Sequence, residues 1–174
     1  MPEPEHVILV DEHDHEIGTL EKHAAHQHGG HLHRAFSVFL VDDSGRILLQ
    51  KRAASKYHFG GLWTNTACGH PRPGESTTGA AQRRLKEEMG VRVTLTEIDT
   101  FTYSASDDDS GLTEREIDHV FRGDFSGSPT PNLDEAEGWR WISPEDLDRE
   151  LREHPEHFTP WCPLAWNVAR SALA

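Results

Sequence analysis

The amino-acid sequence predicts a fold of the α/β (α+β) class, and three observations support this prediction. The chain has 174 residues, which fits one domain and leaves little room for a second. Hydrophobic residues make up 35% of the chain, enough to build a packed core. Short β-favouring runs alternate with a few helical stretches, as in folds where helices pack on a sheet. We therefore expect a single domain over residues 1–174.

The N-terminal third is predicted to consist mainly of strands. A polar turn, Asp42-Asp43-Ser44-Gly45, separates two β-favouring runs and predicts a hairpin. Between the earlier strands, residues 21–28 have the pattern of a short helix. The glycine-containing stretch 53–62 is predicted to be a loop. The β-favouring runs in this part of the chain are 6–10, 17–20, 32–41, 46–52 and 63–68.

The strongest helix signal begins at Ser76, a favourable N-cap, and ends at Met89 before Gly90, which suits a left-handed C-terminal cap. Two further helices are expected, one from Pro144 to about His154 and one over residues 160–172 that Pro163 interrupts near its start. The remaining β-favouring runs are 91–103, 116–125 and 139–142, with an acidic loop at 104–111 and a linker at 126–132.

Charge and hydropathy exclude several classes of function. Asp and Glu outnumber Lys and Arg by 30 to 17, and the net charge of -13 disfavours binding to nucleic acid. The longest uncharged apolar run, residues 35–41, is far shorter than the roughly 18 residues of a membrane span, and the N-terminus lacks the pattern of an export signal. We expect a cytoplasmic protein, a monomer or weak homodimer, whose partner is a small anionic molecule. Two cysteines do not make a disulfide framework.

The first chemical motif lies in residues 69–91. Gly69 is followed after five residues by Glu75, and after seven more by the run RRLKEEMGV. A loop leading into a helix that ends in adjacent carboxylates can hold Mg2+ against phosphate oxygens. The pattern resembles the Nudix box, G-x5-E-x7-R-E-apolar-x-E-E-x-G-apolar, except that Arg84 replaces a glutamate and adds a phosphate-seeking cation. Ordinary helix charge pairing is the alternative, since Arg84 and Glu88 are four residues apart.

The second motif is a set of metal-binding residue types. On a strand, Glu114 and Glu116 point to the same side and can converge on one ion. Mixed nitrogen and oxygen ligands suit Zn2+, Mn2+ or Fe2+. Taken alone, the histidine-rich stretch 23–33 is more typical of a solvated loop or an adventitious metal binder, and spacing alone does not choose among the candidate ligands. The complete candidate set is His26, His33, His70, Glu114 and Glu116.

A closer resemblance extends over nearly the whole chain. The pieces EHVILV, GTLEKHAAH, HLHRAFSVFL, WTNTACGHPRPGE, EREID and FTPWC together resemble type 1 isopentenyl-diphosphate isomerases, a branch of the Nudix superfamily. This resemblance implies a Nudix-like mixed β-sheet between helices, with N-terminal and C-terminal additions. It also implies interconversion of isopentenyl and dimethylallyl diphosphates in isoprenoid biosynthesis.

The resemblance implies roles for individual residues in catalysis. Cys68 and Glu116 are implied to face each other across the substrate, where one adds a proton to the terminal alkene carbon and the other removes a proton from C2. The reaction then passes through a tertiary carbocation. Tyr103 is implied to hydrogen-bond the glutamate and assist proton delivery. Trp161 is implied to close over the hydrocarbon end, exclude water and bring its π face near the cation.

The resemblance also implies two kinds of metal site and a diphosphate site. Glu88, with substrate oxygens and the carbonyl of Cys68, is implied to hold Mg2+ on the diphosphate. The implied ligands of one tightly bound divalent metal, Mn2+ or Zn2+, are His26, His33, His70, Glu114 and Glu116. The implied diphosphate-binding cations are Lys22, Arg52, Lys56 and Arg84. His23, His28 and His31 are expected on the surface.

Other interpretations of these residues remain open on the sequence. A Nudix pyrophosphohydrolase acting on a nucleoside diphosphate derivative is the main alternative activity, although the change at Arg84 weakens it. A histidine-rich metal-storage protein explains residues 23–33 but not the CGH and EREID pieces. Cys68 as an inert buried thiol and Trp161 as a packing residue are the corresponding structural alternatives. The remaining tryptophans are interpreted as packing residues only.

Overall fold

Nine strands form one mixed β-sheet within residues 3–173, the part of the chain that this computed structural model describes. The strands are β1 (His6–Val10), β2 (Glu16–Glu21), β3 (His33–Val41), β4 (Ile47–Arg52), β5 (Trp63–Thr64), β6 (Ala67–Gly69), β7 (Thr96–Ser106), β8 (Thr113–Asp124) and β9 (Ala136–Ile142). The helices are α1 (Lys22–Ala25), α2 (Thr77–Met89), α3 (Pro144–Glu153) and α4 (Trp161–Leu173), with a 3₁₀ turn at Pro155–His157.

Strand β3 organises the sheet because four other strands pair with it. It runs antiparallel to β1, β4 and β6 and parallel to β8. The parallel pairing places His33 opposite Glu116, and the antiparallel β7–β8 pairing places Tyr103 opposite the same glutamate. On the other side of β3, Cys68 of β6 lies opposite Ser37. The topology thus brings distant segments of the chain to one region of the sheet.

Helices cover both faces of this sheet, and alternate residues of β3 serve the two faces. Phe36 packs in a cluster with Leu85 and Met89 of α2, whereas Phe39 packs in a second cluster with Trp166 of α4. Alternation of this kind is expected of a strand that is buried on both sides. The predicted α/β (α+β) class, with a mixed sheet between helices, is confirmed. Residues 1, 2 and 174 of the predicted domain lie outside the described part of the chain.

Helix α2 begins and ends where the sequence predicts. The hydroxyl of Ser76 accepts a hydrogen bond from the Gly79 N–H at 3.1 Å. Gly90 has a φ of 67° and donates its N–H to the carbonyl of Lys86. A side chain at Gly90 would place a Cβ 2.5 Å from the carbonyl oxygen of Thr130, so both the conformation and the space favour glycine.

Several predicted boundaries are wrong, for identifiable reasons. The helix expected over residues 21–28 ends at Ala25, because the backbone turns left-handed over residues 28–30. Residues 91–95 are not a strand, and β8 begins three residues earlier than predicted and so includes Glu114. Strands β3 and β4 pair only at Val41 and Ile47, because beyond this point β3 pairs with β6 and β4 pairs with β5. The predicted hairpin therefore holds only at its turn.

The final helix is continuous from Trp161 to Leu173, although an interruption at Pro163 was predicted. Pro163 lies in the first turn, where backbone N–H groups have no partner within the helix, so its missing donor costs little. Within residues 3–173, no helix combines the length and apolarity needed to cross a membrane.

Candidate active site and metal centre

Five side chains from four parts of the chain converge on one buried point. Each offers a ligand atom, and these atoms all lie within 4.8 Å of one another. The first directly follows helix α1, β3 begins with the second, the third follows β6, and both carboxylates lie on one face of β8. The five residues, called the metal group below, are His26, His33, His70, Glu114 and Glu116.

The metal group fits a divalent cation. The Nδ1 atoms of His26 and His33 donate to the carbonyls of Lys22 (2.6 Å) and His31 (2.7 Å), which turns their Nε2 atoms toward the carboxylates of the metal group. Among the described residues, Nε2 of His33 is buried without a hydrogen-bond partner. Burial also lowers the pKa of His33 to about 4, so its imidazole is neutral at physiological pH, the form that binds metals.

The two carboxylates of the metal group have opposite protonation preferences. Burial and the negative charge of Glu114 raise the pKa of Glu116 well above its ordinary value. Although burial opposes it, hydrogen bonds from Glu116, His26 and His58 hold the pKa of Glu114 well below its ordinary value. Glu116 also receives a hydrogen bond from the hydroxyl of Tyr103 at 3.1 Å. Glu116 is therefore the member of the pair that is suited to donate or accept a proton.

Cys68 and Glu116 line one pocket beside the metal group. Burial and the negative charge of Glu88 raise the pKa of the Cys68 thiol to about 12, so the thiol is neutral at physiological pH. The guanidinium Nη1 of Arg52 lies 3.8 Å from its Sγ atom. Cys162 is also buried, but it packs in the core beneath α4 and does not line this pocket.

Four basic side chains also line this pocket. Lys22 pairs with Glu5 at 3.2 Å, and Lys56 pairs with Glu135. Arg84 pairs with Glu88 at 2.7 Å, so the helix charge pair considered as an alternative does form. A second contact of Arg84, 3.1 Å to Glu135, and its place on the pocket wall go beyond such a pair. The cations are Lys22, Arg52, Lys56 and Arg84.

Trp161 lines the pocket at the start of α4. It is 3% exposed, and its indole N–H donates to Oδ1 of Asn65 at 3.2 Å. The guanidinium of Arg52 lies 5.4 Å from the centre of its ring, and Phe59 packs edge-on against it. Trp161 is therefore held in one orientation and also faces the pocket. The tryptophans at 63, 139, 141 and 166 do not line this pocket.

The structure brings together all the predicted site residues, although their roles stay predictions. All of them line the pocket except His26 and His33, which belong to the adjoining metal group. The three histidines expected on the surface, His23, His28 and His31, are exposed.

Sequence reasoning missed two buried residues of the site. Asp118 continues the alternation of Glu114 and Glu116 along β8, a signal that was available in the sequence. His58 contacts Oε1 of Glu114, but it lies in the irregular segment after β4, where no periodicity predicts which side chains point inward. Both residues are at most 7% exposed.

Replacing Asp118 with asparagine should flatten the pH dependence of stability. Burial raises the pKa of Asp118 to about 8 from 3.8, although a hydrogen bond from Ser37 opposes the shift. The folded chain thus keeps a proton that the unfolded chain loses, and this contribution to stability is complete below about pH 4 and lost as pH rises through 8. Urea unfolding between pH 5 and 8, with chelator present, measures the difference.

The exposed Asp124, on the same strand, provides the control for this experiment. Asp124→Asn should keep the wild-type dependence on pH, because its side chain is solvated. Parallel curves for the wild type and Asp118→Asn would show that Asp118 is ionised in the folded protein.

The mixed sheet, together with helix α2, which carries most of the Nudix-box pattern, defines the class of protein. The NUDIX domain family profile matches residues 31–162. Among solved structures, DR0079 from Deinococcus radiodurans shares the fold with a TM-score of 0.75 and 21% identity, covering 95% of this chain and 98% of that one. A MutT protein from Methanosarcina mazei follows with a TM-score of 0.66 and 17% identity, covering 81% and 95%.

Curated relatives identify the branch within this class. A protein of Aromatoleum aromaticum named isopentenyl-diphosphate Delta-isomerase 2 is 51% identical, with 89% of this chain and 81% of that protein covered. Isopentenyl-diphosphate Delta-isomerases of Serratia proteamaculans (51% identical, covering 90% and 87%) and Nocardia farcinica (45% identical, covering 95% and 95%) are similar over comparable lengths. The chain belongs to the isopentenyl-diphosphate Delta-isomerase family of Nudix proteins.

Proposed function

We propose that the chain interconverts isopentenyl diphosphate and dimethylallyl diphosphate in isoprenoid biosynthesis, with residues 1–174 acting as one catalytic domain. The observation that carries the proposal is the shared pocket of Cys68 and Glu116, which also has basic side chains and Trp161 in its wall. A substrate with an anionic diphosphate and a short hydrocarbon matches this combination of basic and aromatic side chains. The proposal places the enzyme in the cytoplasm as a monomer or weak homodimer, with no nucleic acid or membrane partner.

The basic residues bind the diphosphate and so fix the position of the hydrocarbon. Lys22, Arg52, Lys56 and Arg84 provide charge-assisted hydrogen bonds, which are among the stronger polar interactions in proteins. When the substrate binds, Lys56 and Arg84 exchange their carboxylate partners, Glu135 and Glu88, for phosphate oxygens. Glu88, with the carbonyl of Cys68, is then placed to hold Mg2+ against the same oxygens.

Cys68 and Glu116 carry out the proton transfers. One of them donates a proton to the terminal alkene carbon, and the positive charge develops on the tertiary carbon. The other removes a proton from C2, and the electron pair of that C–H bond becomes the new double bond. Tyr103 donates a hydrogen bond to Glu116 and holds its carboxyl group in place during both transfers.

The metal group would hold one tightly bound divalent cation, Mn2+ or Zn2+, through His26, His33, His70, Glu114 and Glu116. Such a cation supplies positive charge that favours the ionised form of Glu116 and sets its acidity. The chain's own contribution is to keep the imidazoles of His33 and His70 neutral, because burial lowers their pKa values, and to orient those of His26 and His33 by hydrogen bonds from Nδ1.

A simple assay separates this activity from hydrolysis. Isopentenyl diphosphate is incubated with the protein and Mg2+, and the acid-labile allylic diphosphate is measured. A pyrophosphohydrolase would instead release phosphate from nucleoside diphosphate derivatives, tested in parallel. Phosphate release without acid-labile product would contradict the proposal.

Trp161→Ala should lower turnover about tenfold or more and release some hydrated alcohol as a side product. The indole shields the pocket from water, and its π face contributes about 0.5–2 kcal/mol to stabilising a nearby cation. Turnover and the ratio of alcohol to allylic diphosphate are measured by chromatography of a labelled substrate.

Two further variants control this experiment. Trp161→Phe, which keeps an aromatic face, should retain more activity than the alanine variant. Trp141→Ala removes a tryptophan outside the pocket and should leave the product ratio unchanged. An unchanged rate in Trp161→Ala would assign Trp161 to core packing alone.

A further inference from the structure

The segment 52–59 connects Arg52, which lines the pocket, to His58, which contacts the metal group. The side chain of Arg52 donates from Nη2 to the carbonyl of His58 at 3.1 Å and from Nε to the carbonyl of Phe59 at 3.2 Å. The Phe59 N–H donates to Oδ2 of Asp107 at 3.2 Å, and Phe59 adopts a left-handed φ of 51°. These contacts fix the backbone directly after the His58 side chain.

The imidazole of His58 is 7% exposed and contacts a carboxylate of the metal group. Its Nε2 atom is hydrogen-bonded to Oε1 of Glu114, while the other oxygen, Oε2, lies 2.8 Å from Nε2 of His26. A carboxylate that ligates a metal is ionised and only accepts hydrogen bonds, so His58 is the donor. The two oxygens of Glu114 therefore have separate partners, one inside the metal group and one outside it.

We propose that His58 is a positioning residue of the metal centre. It holds Oε1 of Glu114 through one hydrogen bond, which keeps Oε2 on the side of the metal group and so strengthens binding of the divalent cation. His58 does not belong to the set of mutually close ligand atoms, and its Nε2 is already occupied by Glu114, which distinguishes it from a sixth ligand. The inference rests on the metal site proposed above and extends it outward by one residue.

The expected effect is on metal affinity. Residues that hydrogen-bond metal ligands typically change affinity by about 10-fold to 100-fold when they are removed. The affinity for Zn2+ is measured by competition with a chromogenic chelator, using full-length protein. His58→Leu, which has no donor, should bind Zn2+ about 10-fold to 100-fold more weakly than the wild type. His58→Gln, whose amide can donate from nearly the same place, should lie within about threefold of the wild type.

Control variants separate this inference from the metal site itself. His13→Leu changes an exposed histidine that contacts no member of the metal group and should keep wild-type affinity. His70→Ala removes a proposed ligand and should lose tight binding. If His70→Ala loses Zn2+ while His58→Leu binds like the wild type, the metal site stands and the role of His58 is refuted. If the wild type itself binds no Zn2+ tightly, both proposals fail.

The glutamine variant decides between a hydrogen bond and a packing role. Circular dichroism establishes that each variant is folded, and His58→Ala replaces the leucine variant if that one is not. Equal loss of affinity in His58→Gln and His58→Leu would overturn the proposal, because a general loss of packing or of a direct imidazole ligand would then account for it. Recovery in His58→Gln alone supports it.

Discussion

Cys68→Ala should abolish isomerisation, with a loss of at least about 10³-fold, while the fold and the tightly bound metal are kept. Removing a general acid or base typically costs about 10² to 10⁴ in rate, and a tertiary carbocation cannot form or decay productively without both proton-transfer groups. The thiol is neutral in the pocket because burial raises its pKa to about 12. Formation of acid-labile product from isopentenyl diphosphate measures the loss.

Cys162→Ala is the matched control, because this second thiol is buried in the core beneath α4 and does not line the pocket. It should lower stability slightly and leave turnover close to that of the wild type. Metal content and circular dichroism of both variants show whether the loss is chemical. Activity of Cys68→Ala within tenfold of the wild type would remove the thiol from the mechanism and restore its interpretation as an inert packing residue.

Local signals in the sequence predict the local parts of this fold well. Helix α2 was predicted to its ends because Ser76 and Gly90 act within one turn of the helix. The common side of Glu114 and Glu116 follows from the period of a strand. The predicted pairing of β4 was wrong because long-range contacts decide it: β4 pairs mainly with β9, which lies some 90 residues further along the chain, and hardly with the adjacent strand β3.

The site was predictable only in part from the residues themselves. Spacing gave a set of candidate ligands without choosing among them, and the resemblance to a family made the choice. The reason is topological: His33 and Glu116 meet through the parallel pairing of β3 with β8, which no local pattern encodes. The sequence does not predict His58 as a site residue, because its inward direction depends on the contacts of Arg52 with the backbone of an irregular segment.

Two metal requirements should prove separable, since the two proposed sites differ in ligands and in burial. The metal group offers three imidazoles and two carboxylates in a buried position, whereas Glu88 offers one carboxylate that already bonds Gln50 (2.8 Å) and Arg84 (2.7 Å). Nitrogen-rich sites favour transition metals, and Mg2+ is usually held by one or two carboxylates together with phosphate oxygens and water. Mg2+ should therefore bind weakly until the diphosphate arrives.

The purified protein should thus retain about one transition-metal ion through dialysis. His70→Ala should lose this ion, because removing one imidazole opens the metal group. Glu88→Gln should keep the ion and lose Mg2+-dependent binding of the diphosphate by roughly 10-fold or more. Elemental analysis of dialysed protein measures the first property, and titration with the diphosphate at several Mg2+ concentrations measures the second.

Glu87→Gln is the matched control for the Mg2+ site, because Glu87 neighbours Glu88 on α2 but is exposed and does not line the pocket. It should keep both the retained ion and the Mg2+ dependence. The burial of Glu88 beside the basic residues, and not the acidity of the helix end, would then account for Mg2+ binding. Loss of the tightly held ion in Glu88→Gln, or its full retention in His70→Ala, would refute the two-site assignment, because one shared site would then serve both metals.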